Sequence, residues 1–209
     1  MIFHHSKFEY DESDLALFAK IAINVRLAFY YIHVMTRREQ MDFTRFAEKL
    51  MAMDDESWAR HSNPWSVYTR FSILPLMSLA FWSREWIGSY SLIPILLSFI
   101  WIWLNPRMFG VPAKTNNWAS MGTFGERIYL DRKINPIPDH HILPTIVLQI
   151  MSGIGLPIFI YGLYSLNIWA LVLGNMWIIV FKAWFVDRMV WLYNDMKDTN
   201  PQYLIWLKS

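Results

Sequence analysis

ILPTIVLQIMSGIGLPIFIYGLY, residues 142–164, holds no charged side chain from end to end. After Ser165 comes LNIWALVLGNMWIIVFKAWFV, residues 166–186, whose one charge, Lys182, lies near the far end. A helix needs about 20 apolar residues to cross a hydrocarbon core, and both stretches reach that length. Working back along the chain, Trp86–Leu104 is a third uncharged stretch. Phe71–Trp82 is apolar but short, and it spans only if Pro64–Arg70 extends it. Asn63-Pro64 favours the extension. Asn is a strong N-cap, and Pro at the first helical position gives up only an N–H that has no partner there. A re-entrant path for Phe71–Trp82 is the alternative. The expected fold class is all-α, an integral membrane four-helix bundle made of two hairpins joined by a long loop, with amphipathic helices beside it.

Composition agrees. Of the 209 residues, 55% are apolar and 17% charged, where soluble domains average about 45–50% and about 25%. Twelve Trp, ten Tyr and fourteen Phe are heavy aromatic loading. These figures exclude disorder, a coiled coil and an ordinary soluble enzyme. The absence of cysteine excludes disulfides, zinc–thiolate sites, iron–sulfur clusters and thiol nucleophiles. A net charge of +2 is too small to suggest nucleic acid as a partner. Met1 to Asp14 carries Glu9, Asp11, Glu12 and Asp14 and lacks the basic start of a signal peptide.

Lys and Arg set the expected orientation. With four crossings, every one of them except Arg84 falls on the side that holds the middle loop and both termini. That side is expected to be cytoplasmic, in a multi-pass cell-membrane protein. An odd number of crossings scatters the charges. Residues 1–60 are then an amphipathic cytoplasmic region, 61–196 the membrane domain with its cytoplasmic middle loop at 105–141, and 197–209 a cytoplasmic tail. In Leu15–Met35 a turn of about 100° per residue gathers Phe18, Ile21, Val25, Ala28, Phe29, Ile32 and Met35 on one face. Lys20, Asn24, Arg26 and His33 interrupt it, which favours an interfacial helix over a fifth crossing. Met41–Met53 reads as a second short amphipathic helix. In the middle loop, Asn117 caps a helix running to about Lys133, with Trp118, Met121, Phe124 and Ile128 on one face. Gly122 and Gly125 count against it.

His61, His140 and His141 fall at the cytoplasmic boundary, and Asp139 adjoins the pair. Histidine with carboxylate is the chemistry of a Zn, Fe, Mn or Cu site, so these four residues are candidate metal ligands. Two features oppose that reading. The chain lacks the repeated His-x-x-x-His and His-x-x-His-His boxes of membrane desaturases and hydroxylases, and adjacent residues on a helix do not face one another. The plainer reading is polar boundary residues, with no cofactor expected. Asp139 also has a structural use, as cap of the third crossing and as complement to its dipole. Arg70, Arg107 and Arg127 belong to a basic rim expected to contact lipid headgroups or another anion, with Glu126–Arg127 as a candidate ion pair.

Within the crossings, Gln149 and Asn175 are expected to hydrogen-bond between helices. No Asp or Glu lies inside any crossing, which counts against proton-coupled transport. Ser152, Gly153 and Gly155 read as a close-packing face. No phosphate-binding loop, dinucleotide fingerprint, nucleophile elbow or zinc-protease helix motif is present.

Several runs carry a resemblance. HSNPWSVYTRF at 61–71, LNPR at 104–107, NWAS at 117–120, GER at 125–127 and PIP at 136–138 resemble the hallmarks of a family of small prokaryotic multi-pass membrane proteins of unknown function. The likeness covers about Asp55 to Asp195 and leaves Leu15–Met35 outside. It implies an integral membrane protein and supplies no activity. The leading expectation is a non-catalytic structural or accessory subunit of a membrane complex, partnered by the bilayer and other membrane protein subunits. The alternatives are a membrane-bound metal-dependent enzyme acting on a lipid or small apolar substrate, and a small transporter.

Overall fold

The computed structural model describes Lys20, Ile23, Leu27 and residues 54–209. Those three positions are helical and exposed. The rest of the helices expected over Leu15–Met35 and Met41–Met53 lies outside the described residues. Contacts group residues 45–209 into one compact unit, and its described part is all-helical.

Caps written in the local sequence start many of the elements. Helix α1 is Asp55–His61, with Asp54 accepting from the Ser57 N–H. Helix α2 is Pro64–Arg70; Asn63 caps it by accepting from the Trp65 N–H, and Pro64 holds its first position. After a break at Phe71 and Ser72 comes α3, Ile73–Trp82. The break has a covalent cause. Pro75 has no N–H to give the Phe71 carbonyl, so the ladder cannot run through. The expected extension of Phe71–Trp82 by Pro64–Arg70 is therefore present, but in two pieces. Helix α4 is the single turn Arg84–Ile87, and a 3-10 turn follows at Gly88–Ser91. Helix α5 is Leu92–Met108, α6 Trp118–Leu130, α7 Asp139–Ser165, α8 Ile168–Met196 and α9 Pro201–Ile205. Asn117, Asn167 and Asn200 cap α6, α8 and α9 as Asn63 caps α2.

Three helical runs are long and apolar enough to cross a membrane: Pro64–Met108, Asp139–Ser165 and Ile168–Met196. The first is 45 residues long and doubles back. Helices α2 and α3 pack against α5, and Ser66 and Thr69 meet Asn105 at the end away from the turn. Helices α7 and α8 form the second antiparallel pair. The turns of both pairs lie together, because the Arg84 guanidinium donates 2.7 Å hydrogen bonds to the carbonyls of Leu163 and Tyr164. Those carbonyls are among the four that a helix C-terminus leaves without an internal partner.

The opposite end carries α1, α6 and α9. Here α6 lies on α8 over a core of Phe124, Ile128, Tyr129, Phe185, Met189, Leu192 and Tyr193. The chain end is docked as well, since the Thr115 N–H donates to the Lys208 carbonyl and the Thr115 hydroxyl to the Trp206 carbonyl. The expected apolar face on α6 is present, with Phe124 and Ile128 in the core and Trp118 and Met121 packed against it. The two glycines that counted against this helix are what lets it approach α8. A Cβ on Gly125 would stand 1.8 Å from the Met189 carbonyl oxygen.

Three expectations change. The last long helix runs on past Val186 to Met196, because Met189, Val190, Leu192, Tyr193 and Met196 keep a helical apolar spacing into the core. Asp139 is the first residue of α7 and not its cap; Pro138 holds that position, so Asp139 serves only the positive end of the dipole. In the Ser152–Gly155 stretch, a Cβ on Gly155 would meet Trp177 and Ile178, whereas Gly153 faces open space.

Gly125→Ala is expected to lower stability by about 3 kcal/mol, since the obstacle is backbone and cannot rotate away. Gly153→Ala should hold stability or raise it by up to about 1 kcal/mol through helix propensity. Thermal unfolding of the two variants in detergent checks the contrast.

Candidate functional site

The polar side chains at the end opposite the turns form two clusters. The inner one joins four elements. His61 ends α1, Arg70 ends α2, Glu126 is on α6 and Lys182 is on α8. Arg70 donates to His61 Nε2 at 2.5 Å and to the Ser66 carbonyl at 3.2 Å. Lys182 Nζ reaches Glu126 Oε1 at 3.2 Å. Beside them Asn105 donates to the Thr69 hydroxyl at 2.7 Å and accepts from Ser66 at 3.3 Å. Asn63 donates to the Gly110 carbonyl and Ser120 to the Ser62 carbonyl. Most of the runs that carry the resemblance thus meet in one polar layer.

The electrostatics fix the charge state. Burial pushes the His61 pKa down, and Arg70 beside it pushes further, to about 3. The ring is therefore neutral and accepts the guanidinium N–H. For Glu126, burial works toward a higher pKa, but Lys182 and Arg70 outweigh it and hold the carboxyl at about 2. The layer carries one carboxylate, two cations and a neutral imidazole, so one positive charge is left over. Removing one partner from such a group leaves a costly uncompensated charge.

The outer cluster joins the first turn of α7 to the last turn of α8. His140 Nε2 and His141 Nε2 lie 3.2 and 2.8 Å from the same oxygen of Asp195. The imidazole rings are 4.2 Å apart between centroids. His141 is buried at 1% exposure, while His140 and Asp195 are open at 62% and 48%. Local sequence explains part of this. Pro144 has no N–H for the His140 carbonyl, and Arg188 of α8 donates to it instead at 3.2 Å. That bond helps hold the α7 start against α8.

The four expected metal candidates are not gathered at one point. His61 sits with Arg70, and His140 and His141 share Asp195. Among the described residues, the His and carboxylate groups close enough to share an ion are His140, His141 and Asp195. Asp139 is not among them. The basic candidates also separate. Arg107 donates to the Trp103 carbonyl and stacks over its ring at 4.3 Å. Arg127 pairs with Asp55, lies 4.7 Å over the Trp206 ring and lines a cavity of about 270 Å³ with Trp58, Phe124 and Lys208. Glu126 and Arg127 are thus not each other's partners. Asn175 does hydrogen-bond between helices, to Ser78 of α3 at 2.9 Å.

Sequence reading passes over Asp195 because the last apolar stretch is cut at Val186. The helical spacing of Met189, Leu192 and Met196 is the signal that carries the helix on to Asp195.

The shifts set a direction with pH. His61 binds its proton below about 6.5 when unfolded and only near 3 when folded. The unfolded chain then binds more protons across that window, so stability falls as pH falls, by up to about 1.4 kcal/mol per unit. Glu126 adds to the loss below its ordinary 4.5. The apparent Tm in detergent should drop between about pH 6.5 and 5. His61→Gln, which does not titrate, should flatten that limb in the same measurement.

A model of a family of unknown function, DUF6653, matches residues 43–207. The match contains the whole stretch from Asp55 to Asp195 that carries the resemblance. No curated protein and no solved structure matches the chain. With about four-fifths of its length matched, the chain belongs to the DUF6653 family of unknown function.

Proposed function

We propose that this protein is a four-crossing membrane protein, with both termini and the middle loop cytoplasmic, acting as a non-catalytic accessory subunit of a membrane complex. The doubling back of Pro64–Met108 supports the fourth crossing, since its two arms pack antiparallel through Ser66, Thr69 and Asn105. The distribution of aromatic residues supports the bilayer. Trp86, Tyr90, Tyr164 and Trp169 are all highly exposed near the turns, and Trp65, Trp103, Trp184 and Trp191 are exposed toward the other end. Exposed Trp and Tyr in two such bands suit the two interfaces of a membrane. Between the bands the exposed surface is aliphatic and Phe, as at Leu96, Phe99, Ile100 and Val180.

The observation that carries the non-catalytic reading is the inner polar layer. Its polar groups engage one another, with Glu126 paired to Lys182 and the Arg70 guanidinium donating to the neutral His61 ring. Such a layer locks α1, α2, α6 and α8 together. What the protein then offers its surroundings is a broad apolar face and an aromatic-rich end, both suited to another membrane chain.

The chain has no cysteine, so single cysteines report topology without background. In intact cells an impermeant maleimide is expected to label Ser89→Cys and Ser165→Cys, and to label Lys114→Cys only after permeabilisation. Labelling of Glu56→Cys from the same side as Ser89→Cys would replace the first crossing with a re-entrant path for Phe71–Trp82. Native mass after mild extraction tests the role: a heavier assembly of fixed stoichiometry supports the subunit reading, and a lone monomer removes it.

A further inference from the structure

The outer cluster has an arrangement that its hydrogen bonds do not exhaust. We propose that His140, His141 and Asp195 bind one divalent transition-metal ion, with zinc as the best match. The proposal does not depend on the number of crossings or on a partner subunit.

Three ligand atoms from two helices converge. One ring nitrogen from each of His140 and His141 and a carboxylate oxygen of Asp195 lie within 4.8 Å of one another. The two N···O separations are 3.2 and 2.8 Å. Tetrahedral zinc with bonds of about 2.0–2.1 Å sets its ligand atoms about 3.3 Å apart. Small side-chain rotations therefore open the cluster enough for an ion, with no backbone movement. Adjacent residues normally diverge around a helix. Here both rings turn toward the same carboxylate, His141 inward and His140 along the exposed side.

The donor set selects the ion class. Two imidazoles and one carboxylate suit zinc and its first-row neighbours, whereas magnesium and calcium favour all-oxygen sites. Three protein ligands leave a coordination position for water, and the exposure of His140 and Asp195 gives the ion a path in. The site also bridges the two ends of the α7–α8 hairpin, so an ion there would clamp Asp139–Ser165 to Ile168–Met196 at their open end.

Two features hold the affinity to a moderate level. The Arg188 cation stands close by, donating to the His140 carbonyl. The Nδ1 of His141 is buried without a hydrogen-bond partner, where strong sites supply a carbonyl or carboxylate to orient the ring. Micromolar binding is expected, rather than the far tighter binding of a closed structural zinc site.

The test uses the full-length protein in mild detergent after treatment with a chelator. Zinc is titrated by calorimetry, and cobalt is added separately to read its visible spectrum. One ion per chain is expected, with an intense tetrahedral cobalt band. Asp195→Asn and His140→Ala should each weaken zinc binding by about tenfold or more, while changing the sequence's other adjacent histidine pair, His4 and His5, to Ala leaves it intact. His140 is exposed, so its replacement preserves the fold. Zinc should raise the Tm of the unaltered protein and not that of the Asp195→Asn or His140→Ala variant. Absence of binding to the unaltered protein overturns the proposal. So does stoichiometric binding that survives both Asp195→Asn and His140→Ala.

Discussion

Helix α6 touches α8 through backbone. At Gly125 the two helices come so close that a single methyl group would overlap the Met189 carbonyl. The polar layer follows from this contact. Glu126 is the next residue along α6, and Lys182 lies two turns back from Met189 on α8. Only at this short interaxial distance do the carboxylate and the ammonium meet. The same approach sets the Trp118 indole N–H on Asp187 at 3.0 Å and buries Ile128 and Met189 completely. The α7–α8 pair repeats the device, with Gly174 against the backbone of Phe159. Close backbone approach through small residues is the means of helix association where apolar surroundings remove the hydrophobic drive.

Proline supplies a second constraint, because each one inside a helix frees a carbonyl upstream. At Pro75 the result is a break that divides α2 from α3. At Pro144 the freed carbonyl of His140 is taken by Arg188 from the neighbouring helix, and that bond stands directly behind the His140–His141–Asp195 cluster. At the other end Arg84 does the same for the last carbonyls of α7. In each case a cation with several donors satisfies carbonyls that the local chain cannot. Two arginines that in sequence read as topology markers are structural links between helices.

The two polar clusters differ in chemical openness. The inner one is buried at His61 and more open at Lys182, and its members hold His61 neutral and Glu126 ionised. It behaves as a lock. The outer one shares one carboxylate between two imidazoles, with an exposed side and a buried side. It is the place where an ion can enter without breaking an internal charge pair. The chain thus combines an interlocked polar layer with an open side-chain cluster at the open end of its second hairpin.

The sequence by itself determined what depends on neighbours along the chain. The lengths of the apolar runs, the Asn caps at 63 and 117, the apolar face of Trp118–Leu130 and the isolation of Arg84 from the other basic residues are all local or additive properties. Each follows from side chains within a few residues of the backbone they act on. Tertiary structure alone decided the partners. Glu126 lies beside Arg127 in sequence but pairs with Lys182, 56 residues away, and Arg127 pairs with Asp55, 72 residues away. His140 and His141 were legible as candidates, while their carboxylate, Asp195, came from 54 residues downstream rather than from adjacent Asp139. Charge and hydrogen bonding act through space over a few ångströms, and only the helix crossings fixed by Gly125 and its counterparts decide which distant groups come within that reach.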